Sequence, residues 1–326
     1  MVQKYAYLLL IGFVAFFGAA RAEDYPDRPI TIVTPYPPGG GSDVLTRILA
    51  QALEDRLKER VLVKNVSGAG GTIGSAEVAR AAPDGYTLLS HHIGIAVAPL
   101  LYKSLPFDTE KAFAPIGLWA DTPMAVVSRP GFAPKDAKQL MEYIRKNPKK
   151  VNFASSGMGS ATHLCAMEFA SLSGGDVTMV QYRGGPPAYI DVMSGRVDLI
   201  CDVTASNVAG QIRAGKLKGF VLTAHKRLPD LPGLPTAAEI GIPSLTVSAW
   251  YGLFAPAGTP QVIVDRLSKE LQSITKDPKV AAAVAKLDTT LFGPKEATPE
   301  ALAKKLSSEI KLWRPLVQKA LKDAKE

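Results

Sequence analysis

Two turns rich in glycine and serine contain the residues of this sequence that are best suited to binding a ligand. They span residues 39–42 and 155–162, and each leads into a predicted helix. The first turn of a helix has backbone N–H groups without partners, at the positive end of the helix dipole. A carboxylate there accepts several hydrogen bonds without an arginine or a lysine. Either turn alone would be interpreted as an ordinary strand-to-helix connection, but two in equivalent places favour an anion site.

Sequence patterns that indicate catalysis or nucleotide binding are missing. Residues 68–74 resemble a dinucleotide fingerprint, but the third glycine, which must face the strand, comes one residue late. The chain has no Gly-x-Ser-x-Gly elbow, no His-Glu-x-x-His pair and no Walker loop. Residues 273–276 fit Ser-x-x-Lys, which we interpret as chance at the end of an amphipathic helix. The sequence therefore predicts a binding protein that uses no cofactor and is not an enzyme.

The histidines and basic residues lack the spacing of a metal or nucleic-acid site. No pair among His91, His92, His163 and His225 has metal-ligand spacing with a cysteine or a carboxylate. The formal net charge of +8 is spread thinly, and its densest run, 146–150, has no interleaved aromatic residues. We expect no metal and no nucleic acid, and a mild field that favours anionic solutes.

The two cysteines, Cys165 and Cys201, both stand in apolar surroundings, and the sequence does not determine the distance between them. Buried free thiols are the favoured interpretation. A disulfide is the alternative, because the compartment predicted for this chain is oxidising.

The N-terminus has the features of a secretory signal. Lys4 precedes an apolar run at residues 8–20, which is too short for a membrane span, and Ala20 and Ala22 suit a signal peptidase. We predict cleavage after Ala22 and export to the periplasm, with an uncleaved anchor helix as the alternative. No cysteine follows the apolar run, so a lipid anchor is not expected.

Strand and helix patterns alternate along the remaining chain, which predicts an α/β fold with largely parallel sheets covered on both faces. About 300 residues exceed what one hydrophobic core usually organises, so two lobes are expected. Two long apolar strands, at residues 116–128 and 247–256, are predicted to cross between the lobes. The predicted division is residues 23–122 plus 250–326 for lobe 1 and 123–249 for lobe 2, with a ligand cleft between them.

Several segments in order along the chain carry a family resemblance. They are Tyr-Pro-Asp-Arg-Pro-Ile at 25–30, Pro-Tyr-Pro-Pro-Gly-Gly-Gly-Ser-Asp at 35–43, Gly-Ala-Gly-Gly at 68–71, Ala-Arg-Ala-Ala-Pro-Asp-Gly-Tyr-Thr-Leu at 79–88, Phe-Ala-Ser-Ser-Gly at 153–157 and Leu-Phe-Ala-Pro-Ala-Gly-Thr-Pro at 253–260. This pattern resembles the Bug-type receptors of tripartite tricarboxylate transporters. The resemblance implies a type II periplasmic-binding-protein fold that closes on its ligand. It also implies delivery to a permease with one large and one small integral subunit.

The resemblance also implies which residues hold the ligand. In that family the Pro-Gly-Gly loop holds a carboxylate, largely through backbone amides and bridging water, and the second-lobe loop with a later aspartate holds the rest. Carried onto this sequence, the residues are Tyr36, Pro38, Gly39, Gly40, Ser42 and Asp43 in the first loop, Ser155, Ser156, Gly157, Gly159, Ser160 and His163 in the second, and Asp202.

Four departures from the family pattern are expected to determine ligand identity. Tyr36 replaces a commoner phenylalanine, Arg183 a commoner lysine, and His91 and His92 a small uncharged stretch. The histidines are interpreted either as a surface strand end or as a cationic or hydrogen-bond-donating wall. Together these residues favour a dicarboxylate or an aromatic carboxylate such as terephthalate over an amino acid.

The function predicted from the sequence is that of a periplasmic solute-binding receptor, expected to be a monomer. It would capture a small carboxylate between its lobes and deliver it to the permease. The alternative is a ligand-sensing subunit that feeds a signalling system without transport.

Overall fold

The computed structural model describes residues 25–323. The predicted export signal at residues 1–22 lies outside the described residues. The strands are β1 (Ile30–Thr34), β2 (Val61–Asn65), β3 (Thr87–His92), β4 (Phe113–Ser128), β5 (Asn152–Ser155), β6 (Thr178–Gln181), β7 (Leu199–Val203), β8 (Lys218–Leu222), β9 (Ser248–Pro256) and β10 (Thr290–Leu291). The helices are α1 (Gly41–Leu57), α2 (Thr72–Ala79), α3 (Gly94–Leu101), α4 (Ala137–Lys146), α5 (Ala161–Ser173), α6 (Gly185–Met193), α7 (Val208–Arg213), α8 (Gln261–Ile274), α9 (Pro278–Ala285) and α10 (Pro299–Asp323).

Strand β4 runs through both halves of the molecule and joins them. Its residues 113–123 pair with β9, and its residues 124–128 pair with β7 and β8. The change of partner falls at Pro123, whose ring nitrogen has no hydrogen to donate to a ladder. Both long strands lie where the sequence predicts the lobe crossings.

The strand order across the curled sheet is β2-β1-β3-β9-β4-β7-β5-β6. We call the part around β1, β2 and β3 the first lobe and the part around β5 to β8 the second lobe. Strands β1, β2 and β3 are parallel, as are β5, β6 and β7, whereas β4 and β9 run antiparallel to their neighbours. This is the predicted α/β fold of two lobes joined by crossing strands.

Helix α1 shows how the local sequence produces this arrangement. Leu45, Leu49 and Leu53 recur at the spacing of one helix face, and all three side chains are completely buried. They belong to the same core as Ile30 and Ile32 of β1, which are also completely buried. Burying each such side chain contributes about 1.5 to 3 kcal/mol relative to leaving it exposed. The packing holds the N-terminus of α1 at the carboxyl end of β1.

The sequence-based prediction contains no counterpart of helices α3, α4 and α7. Helix α3 is apolar almost throughout and contains Pro99, so it shows no amphipathic period. Helix α4 begins after Asp136, whose side chain accepts a hydrogen bond from the Gln139 N–H as an N-cap. Helix α7 is only six residues long, too short to show a helical period.

The favoured interpretation of the cysteines as free thiols is wrong. Cys165 on α5 and Cys201 on β7 form a disulfide, with their Cα atoms 6.0 Å apart. The expectation that both are buried is correct, since neither is exposed. The pairing arises because α5 packs on β7, a contact between segments 36 residues apart that local sequence does not reveal.

The C-terminal helices return to the first lobe. Helix α8 packs on α1 and β4, and α10 packs on α3 and β4. Within residues 25–323 no helix is both long and apolar enough to cross a membrane.

Candidate functional site

A small cavity lies between the two lobes, at the carboxyl ends of β1, β3, β5 and β7. The first lobe contributes Tyr36, Pro37, Gly40, Gly41, Ser42 and His92 to its wall. The second lobe contributes Ser156, Ala161, Thr162, Gly185, Asp202, Val203 and Ser206. Cavities at this position in open α/β sheets are ligand sites.

The first-lobe loop is braced by Asp43. Its carboxylate accepts hydrogen bonds from the Gly39 N–H at 3.0 Å, from Arg47 Nε at 3.1 Å and from Asn65 Nδ2 at 2.9 Å. Burial on its own would raise the pKa of Asp43, but the hydrogen bonds from Arg47, Gly39 and Asn65 hold it below its usual value. Asp43 does not line the cavity, so its role here is to fix the loop.

The N-terminus of α1 opens into the cavity. Gly40 is its N-cap residue and provides no side-chain cap, so the first N–H groups of the helix are left for another acceptor. Gly41 lies so close to the second lobe that a Cβ at this position would be 2.6 Å from Val203 Cγ2. This positive helix end therefore faces the opposite lobe at short range.

The second-lobe loop is organised by hydroxyl groups around Thr162. Its Oγ1 atom lies 2.8 Å from both Ser156 Oγ and Ser160 Oγ and accepts a 2.7 Å hydrogen bond from the Ser156 N–H. Ser160 is the N-cap of α5 and accepts a hydrogen bond from the His163 N–H. The cluster holds the N-terminus of α5 against the cavity, opposite that of α1.

Tyr36 and His92 form a stacked pair in the wall of the first lobe. Their ring centroids are 4.5 Å apart and the ring planes differ by 24°. His92 Nδ1 accepts a hydrogen bond from the Gly94 N–H at 3.0 Å, so the proton of the neutral imidazole is assigned to Nε2. Burial lowers the pKa of His92 to about 3, and the ring is therefore neutral near pH 7.

His91 is separated from the cavity by its neighbours. Its Nδ1 accepts a hydrogen bond from the His92 N–H at 2.8 Å, and its Nε2 faces Gly71. Burial lowers its pKa well below the usual value. Both histidines are buried, so the interpretation as a surface strand end is wrong. Because both rings are neutral, they cannot form a cationic wall. His92 can still donate a hydrogen bond from Nε2 into the cavity.

Asp202, on β7, places a carboxyl group in the cavity. Oδ1 accepts a 2.8 Å hydrogen bond from the Val203 N–H, whereas Oδ2 is buried and has no hydrogen-bond partner within residues 25–323. Burial raises the pKa of Asp202 to about 7, against the lowering effects of the Val203 N–H and of the Ser206 and Tyr189 hydroxyls. The pKa of this carboxyl thus lies well above that of an exposed aspartate.

The other predicted site residues lie at the margin of the cavity. Pro38, Gly39 and Arg183 are exposed and do not line it. Ser155 is fully buried behind the loop and donates its hydroxyl to Gln181 Oε1 at 2.5 Å. His163 accepts a hydrogen bond from the Gly159 N–H, and burial lowers its pKa to about 4.

Sequence reasoning missed part of the second-lobe wall. Thr162 lies within the glycine- and serine-rich turn and was open to prediction as an N-terminal residue of α5. Gly185 begins α6, a third strand-to-helix turn with the same backbone chemistry. Val203 and Ser206 carry no local signal, because only the fold brings them to the cavity.

The lobes touch each other beside the cavity. Gly157 and Gly70 approach so closely that a Cβ at Gly157 would lie 3.1 Å from the Gly70 nitrogen. On the other side, a Cβ at Gly184 would lie 2.2 Å from Pro37 Cγ. These contacts describe a closed arrangement of the two lobes.

Two α/β lobes, two crossing strands and a cavity walled by helix N-termini define a type II periplasmic binding protein. The sequence profile of the tripartite tricarboxylate transporter family receptor, TctC, matches residues 45–321. The chain therefore belongs to this family. It is a family of substrate-binding receptors, not of enzymes.

Individual relatives agree with this assignment. The protein BugT of Bordetella pertussis is 33% identical over 317 residues, covering 95% of this chain and 96% of BugT. The structure of the periplasmic binding protein BugD has a TM-score of 0.86 at 42% identity, covering 91% of this chain and 98% of BugD. MatC from Rhodopseudomonas palustris, with bound malate, has a TM-score of 0.85 at 33% identity, covering 90% of this chain and all of MatC.

Proposed function

We propose that this protein is a periplasmic receptor that captures a dicarboxylate or an aromatic carboxylate and delivers it to a tripartite tricarboxylate-type permease. The observation that carries the proposal is the convergence of two helix N-termini, those of α1 and α5, on one cavity from opposite lobes. Each presents backbone N–H groups and the positive end of a helix dipole. A ligand with two acceptor ends would bridge the lobes and stabilise the closed form.

The composition of the cavity wall supports an anion held by backbone groups. None of the residues that line it is a lysine or an arginine. Hydrogen-bond donors are supplied by the helix ends, the serine and threonine hydroxyls and the Nε2–H of His92. The wall holds no pair of side chains in the geometry of a nucleophile and its base, and we propose binding without catalysis.

The domain limits and the export route are part of the same proposal. We place lobe 1 at residues 23–122 plus 250–326 and lobe 2 at residues 123–249, which is supported by the change of pairing partner along β4. Export with cleavage near Ala22 is supported by membership in a periplasmic receptor family. We propose that the mature protein acts as a monomer.

A thermal-shift screen tests the proposed ligand class. The probes are succinate, malate, adipate, benzoate and terephthalate, with succinamide as a neutral control of similar shape. A ligand at a hundred times its Kd adds about 2.7 kcal/mol to the unfolding free energy, which raises Tm by several degrees. The proposal fails if no carboxylate raises Tm, or if succinamide raises it as much as succinate.

A matched pair of variants tests the second-lobe loop. Thr162→Val removes the hydroxyl around which Ser156 and Ser160 are arranged, so we expect the Kd of the best carboxylate to rise about tenfold. Thr178→Val removes an exposed hydroxyl that bonds only the Lys149 carbonyl, and should leave Kd unchanged. Equal affinities in the two variants would exclude the loop from the site.

A further inference from the structure

Asp202 is an unusual residue for the wall of an anion site. The residue is 3% exposed, and its buried Oδ2 makes no hydrogen bond of good geometry in the described part of the chain, although the Tyr189 and Ser206 hydroxyls lie beside the carboxyl. Oδ2 faces Gly185, since a Cβ at that glycine would lie 3.6 Å from it, and both residues line the cavity. An acceptor atom is therefore turned toward the place where the proposed ligand would bring acceptor atoms of its own.

None of the residues that line the cavity around this carboxyl is a lysine or an arginine. The ionisable side chains on the elements around it include Tyr189 and Asp191 of α6, His163 and Glu168 of α5, Tyr251 of β9, Asp121 of β4, His92 of β3, and the paired Asp43 and Arg47 of α1. Its partner across the ladder on β4 is Ala125. Burial keeps both histidines neutral and raises the pKa of both tyrosines above 10, so neither tyrosine is charged.

The two acidic neighbours on α5 and α6 do not line the cavity. Asp191 accepts hydrogen bonds from the Tyr182 hydroxyl and from Arg196 outside the cavity. Glu168 lies elsewhere on α5. Helix ends and hydroxyl groups would therefore stabilise the charge of a bound dicarboxylate. Among the residues that line the cavity, Asp202 is the one that carries a carboxyl group. Two carboxylates that share a site cannot both ionise readily, and the pKa of one of them rises strongly.

We propose that Asp202 binds a proton together with the ligand and donates a hydrogen bond from Oδ2 to a ligand carboxylate oxygen. This inference rests on the proposed function and adds the chemistry of its acceptor site. The proton comes from solvent, stays on Oδ2 in the complex and returns to solvent on release, and no covalent bond changes. A single carboxyl group thereby turns from a repelling charge into a donor.

The contrary arrangement is an ionised Asp202 that accepts a hydrogen bond from a hydroxyl group of the ligand. Malate and succinate separate the two, because they differ in that one hydroxyl. A protonated Asp202 does not require the hydroxyl, so both compounds should bind with proton uptake. An ionised Asp202 would favour malate strongly and take up no proton.

Isothermal titration calorimetry of the mature protein tests the proposal directly. Malate and succinate are titrated at pH 8 in HEPES and in Tris, whose different ionisation enthalpies report the number of protons taken up. We expect nearly one proton per ligand at pH 8. Because the pKa of free Asp202 is about 7, the affinity should fall about tenfold for each pH unit above it.

Two variants assign the proton to its site. Asp202→Asn keeps a donor at this position and has no proton to bind, so its Kd should be independent of pH between 6 and 9. Glu168→Gln removes a second carboxyl whose pKa burial raises to about 7, outside the cavity, and should keep the wild-type pH dependence.

The results distinguish this inference from the proposed function. Binding without proton uptake, together with a clear preference for malate over succinate, overturns the role of Asp202 and leaves the receptor function in place. A wild-type pH dependence that survives in Asp202→Asn also overturns it. If no carboxylate of the screen binds between pH 5.5 and 8, the proposed function falls and this inference with it.

Discussion

The Tyr102 hydroxyl of the first lobe donates a hydrogen bond of 2.9 Å to the backbone carbonyl oxygen of Met158 in the second lobe. The same carbonyl faces Gly70, where a Cβ would lie 1.9 Å from the oxygen. Tyr36, in the cavity wall, donates its hydroxyl to the Gly70 carbonyl at 2.9 Å. The ligand wall and the contact between lobes are therefore connected through one glycine, and closure depends on a residue without a side chain at this point.

Gly70→Ala should impair closure without touching the ligand. Gly70 has φ +63°, so alanine costs about 1 kcal/mol of backbone strain in addition to the collision with Met158. Gly174→Ala is the control, because Gly174 has φ +65° and open space around it. We expect Gly70→Ala to raise Kd at least tenfold relative to the control. Small-angle scattering should show no contraction with malate in Gly70→Ala, and equal contraction in both variants would contradict the prediction.

Tyr102→Phe should weaken the closed form more gently. Losing one hydrogen bond between the lobes costs about 0.5 to 1.5 kcal/mol, so Kd should rise about two- to tenfold. Tyr143→Phe serves as the control, because its ring packs on Phe132 within the second lobe. Calorimetric Kd values and Tm without ligand separate a closure effect from general destabilisation. If the unfolding free energy of ligand-free Tyr102→Phe falls by as much as its binding free energy, the effect is general destabilisation.

The stability of the ligand-free protein should depend on pH through Asp202. Burial raises its pKa to about 7, above the value of about 3.9 in an unfolded chain. Its contribution to stability is therefore fully present below about pH 4 and is lost as pH rises through 7. The unfolding free energy of Asp202→Asn, relative to that of the wild type, should rise by up to about 4 kcal/mol between pH 4 and pH 7 and stay constant above pH 7.

Urea unfolding at pH 4.5, 6 and 8 measures this gain, with m values to check that the transitions stay comparable. Asp191→Asn is the control. Hydrogen bonds from Tyr182 and Arg196 lower the pKa of Asp191, so removing its charge should give no gain with rising pH. A difference between Asp202→Asn and wild type that is the same at all three pH values would contradict the prediction.

The disulfide should contribute measurably to stability. Joining Cys165 and Cys201 closes a loop of 36 residues, for which chain entropy in the unfolded state corresponds to about 3 to 4 kcal/mol. The double variant Cys165→Ala/Cys201→Ala should lose about this amount in urea unfolding. Dithiothreitol should lower the stability of the wild type and leave the double variant unchanged. Equal sensitivity of both proteins to the reductant would show that the bond does not carry the effect.

The order of strands and helices was predictable because its signals are local. The sequence predicts strands at residues 30–34 and 61–65, which are β1 and β2, and the predicted crossings at 116–128 and 247–256 correspond to β4 and β9. Alternating β-branched residues, glycine-rich turns and helical hydrophobic periods each act over a few residues. Helix α3 escaped prediction because it is apolar on all sides and so lacks a period.

The sequence by itself determined the two lobes, the crossing strands and the turns whose helix ends converge on the cleft, since each follows from local patterns or from matching segments. Only the tertiary structure decided the bond between Cys165 and Cys201, and the separation of His91 from the cavity that His92 lines. It also decided the burial that raises the pKa of Asp202. These properties depend on how segments far apart in sequence approach each other, and desolvation is a property of the assembled cavity rather than of any one stretch of chain.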